Sequence, residues 1–285
     1  MKNRAIRSVF TDFLTKIEGV YSNQELESIA YLVFEKILKV QKIDIISNIA
    51  FDLDEENEKI LDSIVQRINQ HEPIQYILGE VDFYSCKLKV NSSVLIPRPE
   101  TEELVDLILK ENKTKSHQTI VDLCTGSGCI AIPLAKHLIP SHVHAIDISK
   151  SALEVASENA KQNGVHVDFQ IMDILKVNQL PITNIDIIVS NPPYVTEGEK
   201  KYMQKNVLDY EPAIAIFVPN EDPLLFYKKV IQLAEMSLSS GGKLYMEINE
   251  WFGEEIKNLF VGKGFHSIEI IVDLNNKDRF VKAMV

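Results

Sequence analysis

The 285-residue sequence has few of the features that mark secreted, membrane-bound or disulfide-stabilised proteins. It holds three cysteines, an odd number that does not suggest a disulfide framework. No apolar run reaches the roughly 20 residues that a membrane helix needs. The basic residues near the start are followed by no apolar stretch, so we expect no secretory signal. These absences predict a cytoplasmic protein with no membrane partner.

Basic residues are also scarce, since 30 Lys and Arg against 41 Asp and Glu give a formal net charge of −11. Proteins that hold duplex DNA by its phosphates usually present a basic surface, so the charge argues against direct nucleic-acid binding. A protein partner with a basic patch would instead be attracted. Cys124 and Cys129 have no further ligands at zinc spacing, and His142 and His144 alternate on a predicted strand. We therefore predict no metal site.

The pattern of apolar residues changes twice along the chain. Residues 1–72 carry apolar side chains at three- and four-residue spacing, which predicts a small helical bundle for packing or for partner recognition. Residues 73–97 contain two short β-prone runs around Ser85 and Cys86, which predict a β-hairpin linker. Residues 98–285 alternate strands and helices, which predicts an α/β domain with a parallel sheet and helices on both faces. The last two strands, joined by LNNKD, should pair as an antiparallel hairpin.

Ligands of such sheets bind outside the carboxyl ends of the strands, so the strand ends are the candidate site. The first strand runs into DLCTGSG, where Gly126 and Gly128 open a helix with the spacing G-x-G-x-x-A. This turn could cradle a pyrophosphate or the amino-acid part of S-adenosylmethionine. A plain glycine turn is the alternative interpretation of this stretch.

The next two strands also end in carboxylates. Asp147 ends the second strand, about 20 residues after the glycine turn, where a carboxylate can accept from both hydroxyls of an adenosine ribose. Asp173 ends the third strand, where it could accept from the adenine amino group while Ile174 packs on the base. Each aspartate could instead cap the helix that follows it. Three such strand ends in order favour an adenosine cofactor.

The fourth strand ends in NPPY, which favours methyl transfer over hydride transfer. An amide nitrogen is a poor nucleophile because its lone pair is delocalised, so it must be held in line with the methyl group, about 3–3.5 Å away. Acceptors on its two N–H bonds would hold it and stabilise the growing positive charge. We predict that these acceptors are the Asn191 side-chain oxygen and the Pro192 carbonyl. Pro193 stiffens the backbone, and Tyr194 lies against the planar group; a plain turn is the alternative.

Several stretches resemble the release-factor type of protein-(glutamine-N5) methyltransferases, a family of class I S-adenosylmethionine-dependent enzymes. They are EPIQYILGEVDFY, VLIPRPETEELV, DLCTGSG, NPPY, YEPAIAIF and, near the end, DLNNKDRF. The similarity runs from about residue 70 to the end, while residues 1–72 fit in length and position more than in motif. It implies a Rossmann-like class I methyltransferase domain over 98–285. Residues 1–72 and the linker 73–97 would help to dock the substrate.

The resemblance also implies an activity. S-adenosyl-L-methionine would supply a methyl group, leaving S-adenosyl-L-homocysteine, to the glutamine of the Gly-Gly-Gln motif in class 1 peptide chain release factors, and so modulate translation termination. The implied cofactor contacts are Asp122, Cys124, Thr125, Gly126, Ser127, Gly128, Asp147, Asp173, Ile174 and Asn191. The implied glutamine contacts are Asn191, Pro192, Pro193 and Tyr194. Arg98 and Glu100 lie in a motif that the family places near the active site, where they could bind substrate or form an ion pair at the domain junction. We expect a monomer.

The sequence departs from the family at Cys124, which stands where the family has the first glycine of G-T-G-S-G. We predict that this position needs a small side chain and not a positive φ, at which a Cβ is costly. Asn276 replaces a frequent glycine, and asparagine tolerates a left-handed turn. Two other functions stay open: the same chemistry on nucleic-acid adenine or a ribosomal-protein glutamine, and a non-catalytic cofactor-binding protein.

Overall fold

The computed structural model describes residues 2–18 and 21–285. Packing divides the chain into two compact units: residues up to Gly79 together with Lys205–Tyr210, and Glu80–Gln204 together with Glu211–Val285. The domain boundaries at residues 72 and 97 stay a prediction. None of the helices in the described ranges combines the length and the apolar content that a membrane crossing requires.

The first unit is mainly helical, as the apolar spacing predicts, and it also contains a small sheet that the spacing does not predict. Its elements are β1 (Lys2–Ala5), α1 (Ile6–Thr15), α2 (Asn23–Val33), α3 (Lys42–Ser47), β2 (Ala50–Leu53), α4 (Glu55–Asn69) and α5 (Ile74–Leu78). Strands β1 and β2 pair antiparallel, with Arg4 opposite Phe51. A π-helical turn over Phe34–Leu38 follows α2.

Helix α2 illustrates how local sequence fixes an element of this unit. The Ser22 hydroxyl accepts a hydrogen bond from the Glu25 backbone nitrogen at 3.3 Å, and the Glu25 carboxylate accepts one from the Ser22 nitrogen at 2.8 Å. This reciprocal capping box satisfies two backbone donors that a helix start leaves free. The apolar face of α2, including Ile29 and Val33, is buried in a core shared with Phe10 and other apolar residues of the unit.

The remaining strands and α-helices belong to the second unit, with the exception of the helix Lys205–Tyr210. They are β3 (Glu80–Phe83), β4 (Cys86–Lys89), α6 (Pro99–Asn112), β5 (Gln118–Leu123), α7 (Ala131–His137), β6 (Ser141–Asp147), α8 (Lys150–Gln162), β7 (Asp168–Ile171), β8 (Ile185–Ser190), β9 (Val195–Thr196), α9 (Lys205–Tyr210, which packs in the first unit), β10 (Phe217–Val218), α10 (Leu225–Ser237), β11 (Leu238–Glu247), α11 (Gly253–Asn258), β12 (His266–Val272) and β13 (Asp278–Met284). Strands β3 and β4 form the predicted hairpin, and β9 pairs parallel with β10.

Seven of these strands form the central sheet in the order β12-β13-β11-β8-β5-β6-β7. The β5, β6, β7, β8 and β11 strands are parallel, and β13 runs antiparallel to both β11 and β12. The predicted C-terminal hairpin is therefore confirmed, and Asn276 in its turn has the left-handed φ of 59° that asparagine tolerates. The chain reverses its strand order between β5 and β8, which are neighbours in the sheet.

Helices cover both faces of this sheet. Side chains alternate between faces along a strand, so the neighbours Ile187 and Ile188 belong to two separate cores. The Ile187 core includes Leu104 of α6, and the Ile188 core includes Val230 of α10. The predicted α/β class is confirmed, and the strand ends converge at one edge of the sheet.

Candidate active site

One cavity in the second unit lies at the carboxyl ends of β5, β6, β7 and β8, and its volume is about 1170 Å³ including its solvent-open mouth. This is the point at which strand order reverses, where open α/β sheets bind their ligands. Ten of the predicted site residues line the cavity: Arg98, Cys124, Thr125, Gly126, Ser127, Asp147, Asp173, Ile174, Asn191 and Pro193. Five are not among its lining residues: Glu100, Asp122, Gly128, Pro192 and Tyr194.

The turn after β5 has three residues with positive φ. They are Cys124 at 62°, Gly126 at 55° and Gly128 at 80°. The prediction that position 124 needs no positive φ is therefore wrong, because the turn requires a left-handed residue there and Cys124 carries its Cβ at a cost of about 1–2 kcal/mol. A Cβ on Gly128 would lie 2.8 Å from Ile132 Cδ1, whereas one on Gly126 would meet nothing within 4 Å.

Asp122 supports this turn from beneath. One carboxylate oxygen accepts from the Thr125 hydroxyl at 2.6 Å and from the Ala131 nitrogen at 3.2 Å. Its other oxygen is buried without a hydrogen-bond partner among the described residues. Burial raises the pKa of Asp122 to about 7, although the two hydrogen bonds oppose the shift. The Asp122 carboxyl group thus holds Thr125, which lines the cavity. Asp122 does not line the cavity itself.

Asp147 lines the cavity at the end of β6. One of its oxygens accepts from the Gly126 nitrogen and the other from the Ser149 nitrogen, both at 2.9 Å. Burial raises the pKa of Asp147, and these backbone bonds oppose the shift. The carboxylate therefore joins two strand ends, and its oxygens have further lone pairs for a ligand.

Asp173 lies beside it, after β7. Its carboxylate accepts from the Leu175 nitrogen at 3.0 Å and pairs with Lys176 at 3.0 Å, so the helix-capping interpretation is correct for this residue. Asp173 and Ile174 also line the cavity, together with the apolar side chains of Ile148 and Met172. Capping and cavity lining thus coincide in the same carboxylate.

Two residues of the NPPY segment, Asn191 and Pro193, line the same cavity directly after β8. The Asn191 side-chain nitrogen donates to the Thr101 hydroxyl oxygen at 3.2 Å. The Tyr194 hydroxyl donates to Glu247 Oε1 at 3.0 Å, and the Thr101 hydroxyl donates to Glu247 Oε2 at 2.6 Å. Burial, followed by the Glu247 charge, raises the pKa of Tyr194 well above its usual value, so the phenol keeps its proton. Burial also raises the pKa of Glu247, against the two hydroxyl bonds.

Arg98 lines the cavity and forms an ion pair with Glu211 at 2.6 Å. The Glu211 side chain is only 1% exposed, and its second oxygen accepts from the Ile96 nitrogen at 3.0 Å. Glu211 is therefore the partner of Arg98 in the ion-pair interpretation. Glu100 lies in the first turn of α6, where its charge suits the helix dipole, and a substrate role for it stays a prediction.

Sequence reasoning missed Thr101, Glu211 and Glu247. Thr101 directly follows the predicted residue Glu100 in RPETEE, and Glu247 ends the apolar strand LYMEI at the carboxyl edge of the sheet. A carboxylate at the end of a buried strand was therefore the available signal for Glu247. The partners of all three lie 53 to 146 residues away, beyond the reach of any local motif. Within residues 2–18 and 21–285, no group of three or more His, Cys, Asp or Glu could hold a metal ion.

Two family models match the chain. A methyltransferase small domain matches residues 101–209, and a PrmC N-terminal domain matches residues 9–79. The fold is also found in the hMettl16 catalytic domain in complex with the MAT2A 3′UTR hairpin 6, with a TM-score of 0.54, 12% identity and 84% of each chain covered. A methyltransferase from Pyrococcus furiosus has a TM-score of 0.50 and 18% identity over 70% of this chain and 88% of that one. These likenesses concern the fold alone.

Curated relatives match the chain over most of its length. A release factor glutamine methyltransferase of Flavobacterium psychrophilum is 41% identical over 98% of both chains. A protein of the same name from Bacteroides thetaiotaomicron is 41% identical over 94% of this chain and 95% of its own. At this identity and coverage the family is settled: the chain belongs to the release factor glutamine methyltransferases.

Proposed function

We propose that this protein transfers a methyl group from S-adenosyl-L-methionine to the side-chain amide nitrogen (N5) of the glutamine in the Gly-Gly-Gln motif of class 1 peptide chain release factors. The methylation would modulate translation termination. One observation carries the proposal: a single cavity is bordered by the strand-end carboxylates Asp147 and Asp173 and by the NPPY residues Asn191 and Pro193. That arrangement suits an adenosine cofactor and a planar amide side by side, in a chain of this family.

The residues present fit the cofactor. Asp147 offers acceptors for ribose hydroxyls and Asp173 for the adenine amino group, while Ile148 and Ile174 provide apolar surface for the base. Gly126 lines the cavity, and open space surrounds the position that a Cβ would take there. When bound, S-adenosyl-L-methionine supplies a sulfonium-activated methyl group. The predicted contacts of Cys124, Thr125, Ser127 and Asn191 come from residues that also line the cavity, whereas Asp122 and Gly128 would act by shaping the turn.

The chemistry left to the protein is the handling of the glutamine amide. Asn191 Oδ1 accepts one N–H bond and the Pro192 carbonyl accepts the other, so the nitrogen is oriented and its growing positive charge is stabilised. Pro193 restricts the backbone that carries this carbonyl. Tyr194 is held by its bond to Glu247; it is not among the residues that line the cavity, and its contact with the planar group is a further part of this proposal. S-adenosyl-L-methionine would supply the methyl group, and these residues would hold the accepting nitrogen, which would then lose one of its protons to solvent.

The remaining parts of the proposal concern the partner. Residues 1–72 act as a helical recognition domain and residues 73–97 as a linker to the methyltransferase domain, 98–285. The enzyme works as a monomer and makes no direct contact with nucleic acid, which the net charge of −11 supports. The reaction takes place in the cytoplasm, where release factors meet ribosomes.

Mass spectrometry of an unmethylated class 1 release factor, incubated with the protein and S-adenosyl-L-methionine, tests the proposal. We expect one added methyl group on the glutamine of Gly-Gly-Gln, and none on a control release factor with Gly-Gly-Ala. A methyl group at another residue, or none despite cofactor binding, would contradict the proposed target and point to a ribosomal-protein glutamine or a nucleic acid.

A further inference from the structure

A continuous chain of side-chain hydrogen bonds lies behind NPPY. It runs from the Asn191 amide to the Thr101 hydroxyl at 3.2 Å, and from there to Glu247 at 2.6 Å. The Tyr194 hydroxyl binds the other Glu247 oxygen at 3.0 Å. Thr101 and Glu247 are each only 1% exposed, so water does not replace these contacts. Asn191, which lines the cavity, and Tyr194 of the same motif are thus joined to one buried carboxylate.

The sheet fixes the position of this carboxylate. Strand β11 pairs with β8 in parallel register, with Met246 beside Ser190, so Glu247 comes next to Asn191 at the strand ends. On its other side, β11 pairs with β13 and sets Glu247 opposite Phe280. Because both neighbouring strands hold β11, the carboxylate cannot move with the NPPY turn. Thr101 in turn lies in the first turn of α6, where its side chain is buried.

The bonds of this chain have a direction. Glu247 accepts the hydrogen bond from the Thr101 hydroxyl, so the single proton of that hydroxyl is used in this bond. The Thr101 oxygen can then only accept from Asn191, which forces the amide nitrogen of Asn191 toward Thr101. The Asn191 oxygen is left over, and no residue in the described part of the chain donates a hydrogen bond to it. Without this restraint an asparagine amide could rotate by half a turn and present its N–H bonds instead.

We infer that Thr101 and Glu247 are positioning residues that set the orientation of the Asn191 amide, so that its oxygen faces the N–H bond of the substrate amide. If the Asn191 amide were reversed, its N–H donors would face the N–H donors of the substrate amide and would repel the nitrogen that Asn191 must hold. Glu247 also fixes the Tyr194 ring through the phenol. The inference rests on the proposed function for the identity of the substrate amide, and it deepens the account of that site.

Thr101→Val tests the inference, since valine has the shape of threonine without the hydroxyl. We expect kcat for release-factor methylation to fall about 100-fold, because the reacting nitrogen loses its fixed acceptor. The Kd for S-adenosyl-L-methionine should stay within about threefold of wild type, because the effect arises only in the transition state. Thr101→Ser keeps the hydroxyl and should restore kcat. Thr119→Val, in β5 and away from the cavity, is the matched control for loss of a threonine hydroxyl.

A second pair of variants tests the carboxylate. In Glu247→Gln, the new glutamine side chain can donate to one of the two hydroxyls, so the hydrogen bonds between Asn191, Thr101 and residue 247 no longer have one fixed direction. We expect kcat to fall about 10-fold or more. Glu111→Gln is the matched control, because Glu111 accepts from the Tyr245 hydroxyl at 2.7 Å without lining the cavity. Wild-type kcat in Thr101→Val, or a Thr101→Ser variant as slow as Thr101→Val, would overturn the inference.

Nuclear magnetic resonance of the wild-type protein provides a readout that needs neither folding of the variants nor a substrate. The Asn191 side-chain N–H bonded to Thr101 should exchange with solvent at least about 10-fold more slowly than a free asparagine amide. Exchange at the free rate would overturn the inference. Slow exchange together with no methylation of the release factor would contradict the proposed function and leave the orientation of Asn191 supported, so the two failures are distinguishable.

Discussion

The two parts of the cavity are held in different ways. On the side of the cofactor candidates, the Asp147 carboxylate is bonded by two backbone nitrogens, those of Gly126 and Ser149. On the NPPY side, the Asn191 amide is bonded by a side chain, Thr101, which is itself held by the side chain of Glu247. The first part is thus shaped by the main chain of one turn, and the second by side chains from three separate segments.

This difference predicts different sensitivities to substitution. Backbone donors are present whatever the neighbouring side chains are, so the cofactor part should tolerate changes around Asp147. A side-chain network loses its function when any one member is replaced, because each bond orients the next. We therefore expect substitutions on the NPPY side to affect turnover, and those on the cofactor side to affect cofactor affinity or stability.

Asn191→Ala should produce the largest effect on turnover. Removing the acceptor for the reacting N–H bond should lower kcat by about 100- to 1,000-fold, the loss seen when one preorganised group that stabilises transition-state charge is removed. Cofactor affinity should change much less. Steady-state methylation kinetics and calorimetric titration of the cofactor check this split, and a collapse of cofactor affinity with normal turnover of the bound enzyme would assign Asn191 to the other part.

Asp122→Asn tests the buried carboxyl group that supports the cofactor part of the cavity. Burial raises the pKa of Asp122 from its ordinary value of 3.8 to about 7 in the folded chain. The folded state therefore binds more protons between these values, and the free energy of unfolding should fall as pH rises through this window and level off above it. The contribution is at most about 4 kcal/mol, at about 1.4 kcal/mol per pKa unit.

Urea unfolding from pH 4 to pH 8 measures this slope. Asp122→Asn should flatten it and should be more stable than wild type at pH 8, because the variant has no charge to bury there. Asp186→Asn serves as the control, since Asp186 also accepts a backbone hydrogen bond, from Thr119 at 2.8 Å. An unchanged slope in Asp122→Asn would show that another group titrates in this window.

Asp147→Ala should weaken binding of the cofactor. Hydrogen bonds to a charged group contribute about 1.5–3 kcal/mol, so the Kd for S-adenosyl-L-methionine should rise about 10- to 100-fold. Turnover at saturating cofactor should fall less. Calorimetric titration tests this, with Asp168→Ala as the control on a half-exposed carboxylate of β7. Unchanged affinity would disprove the ribose assignment.

The two glycines of the turn give the smallest expected effect. Both have positive φ, so alanine at either position costs about 1–2 kcal/mol. At Gly128 the new methyl group would also press on Ile132 and on Ala156, 3.3 Å away. Gly128→Ala should therefore lower the free energy of unfolding by about 1 kcal/mol more than Gly126→Ala does. Equal losses in denaturant unfolding would mean that Ile132 moves aside freely.

The same contrast explains what the sequence could predict. The strand–helix alternation and the cofactor-side residues follow from local patterns, because the elements are short-range and Asp147 sits at a strand end. The NPPY residues are also recognisable, since they form one continuous motif. The residues that support the NPPY motif could not be recognised in this way, because Thr101 is 90 residues from Asn191, and Glu247 is 146 residues from Thr101. The register of β8 and β11 brings Glu247 beside Asn191, and register depends on the whole sheet, while Thr101 reaches both from helix α6.

Backbone conformation is the second feature that could not be predicted from the sequence. Cysteine is rare at positive φ, so the residue type at position 124 argues against a left-handed conformation, and the glycine of the resembling family is the signal for it. The two short strands β1 and β2 pair over only four residues each, and such short pairings leave little apolar periodicity.

A crystal structure with S-adenosyl-L-homocysteine and a Gly-Gly-Gln peptide tests the central claim most directly. The account predicts that Asp147 binds the ribose hydroxyls, and that the glutamine amide nitrogen lies within hydrogen-bond distance of Asn191 Oδ1 and of the Pro192 carbonyl, with Asn191 still donating to Thr101. A glutamine bound elsewhere, or an Asn191 that turns its nitrogen toward the substrate, would contradict it.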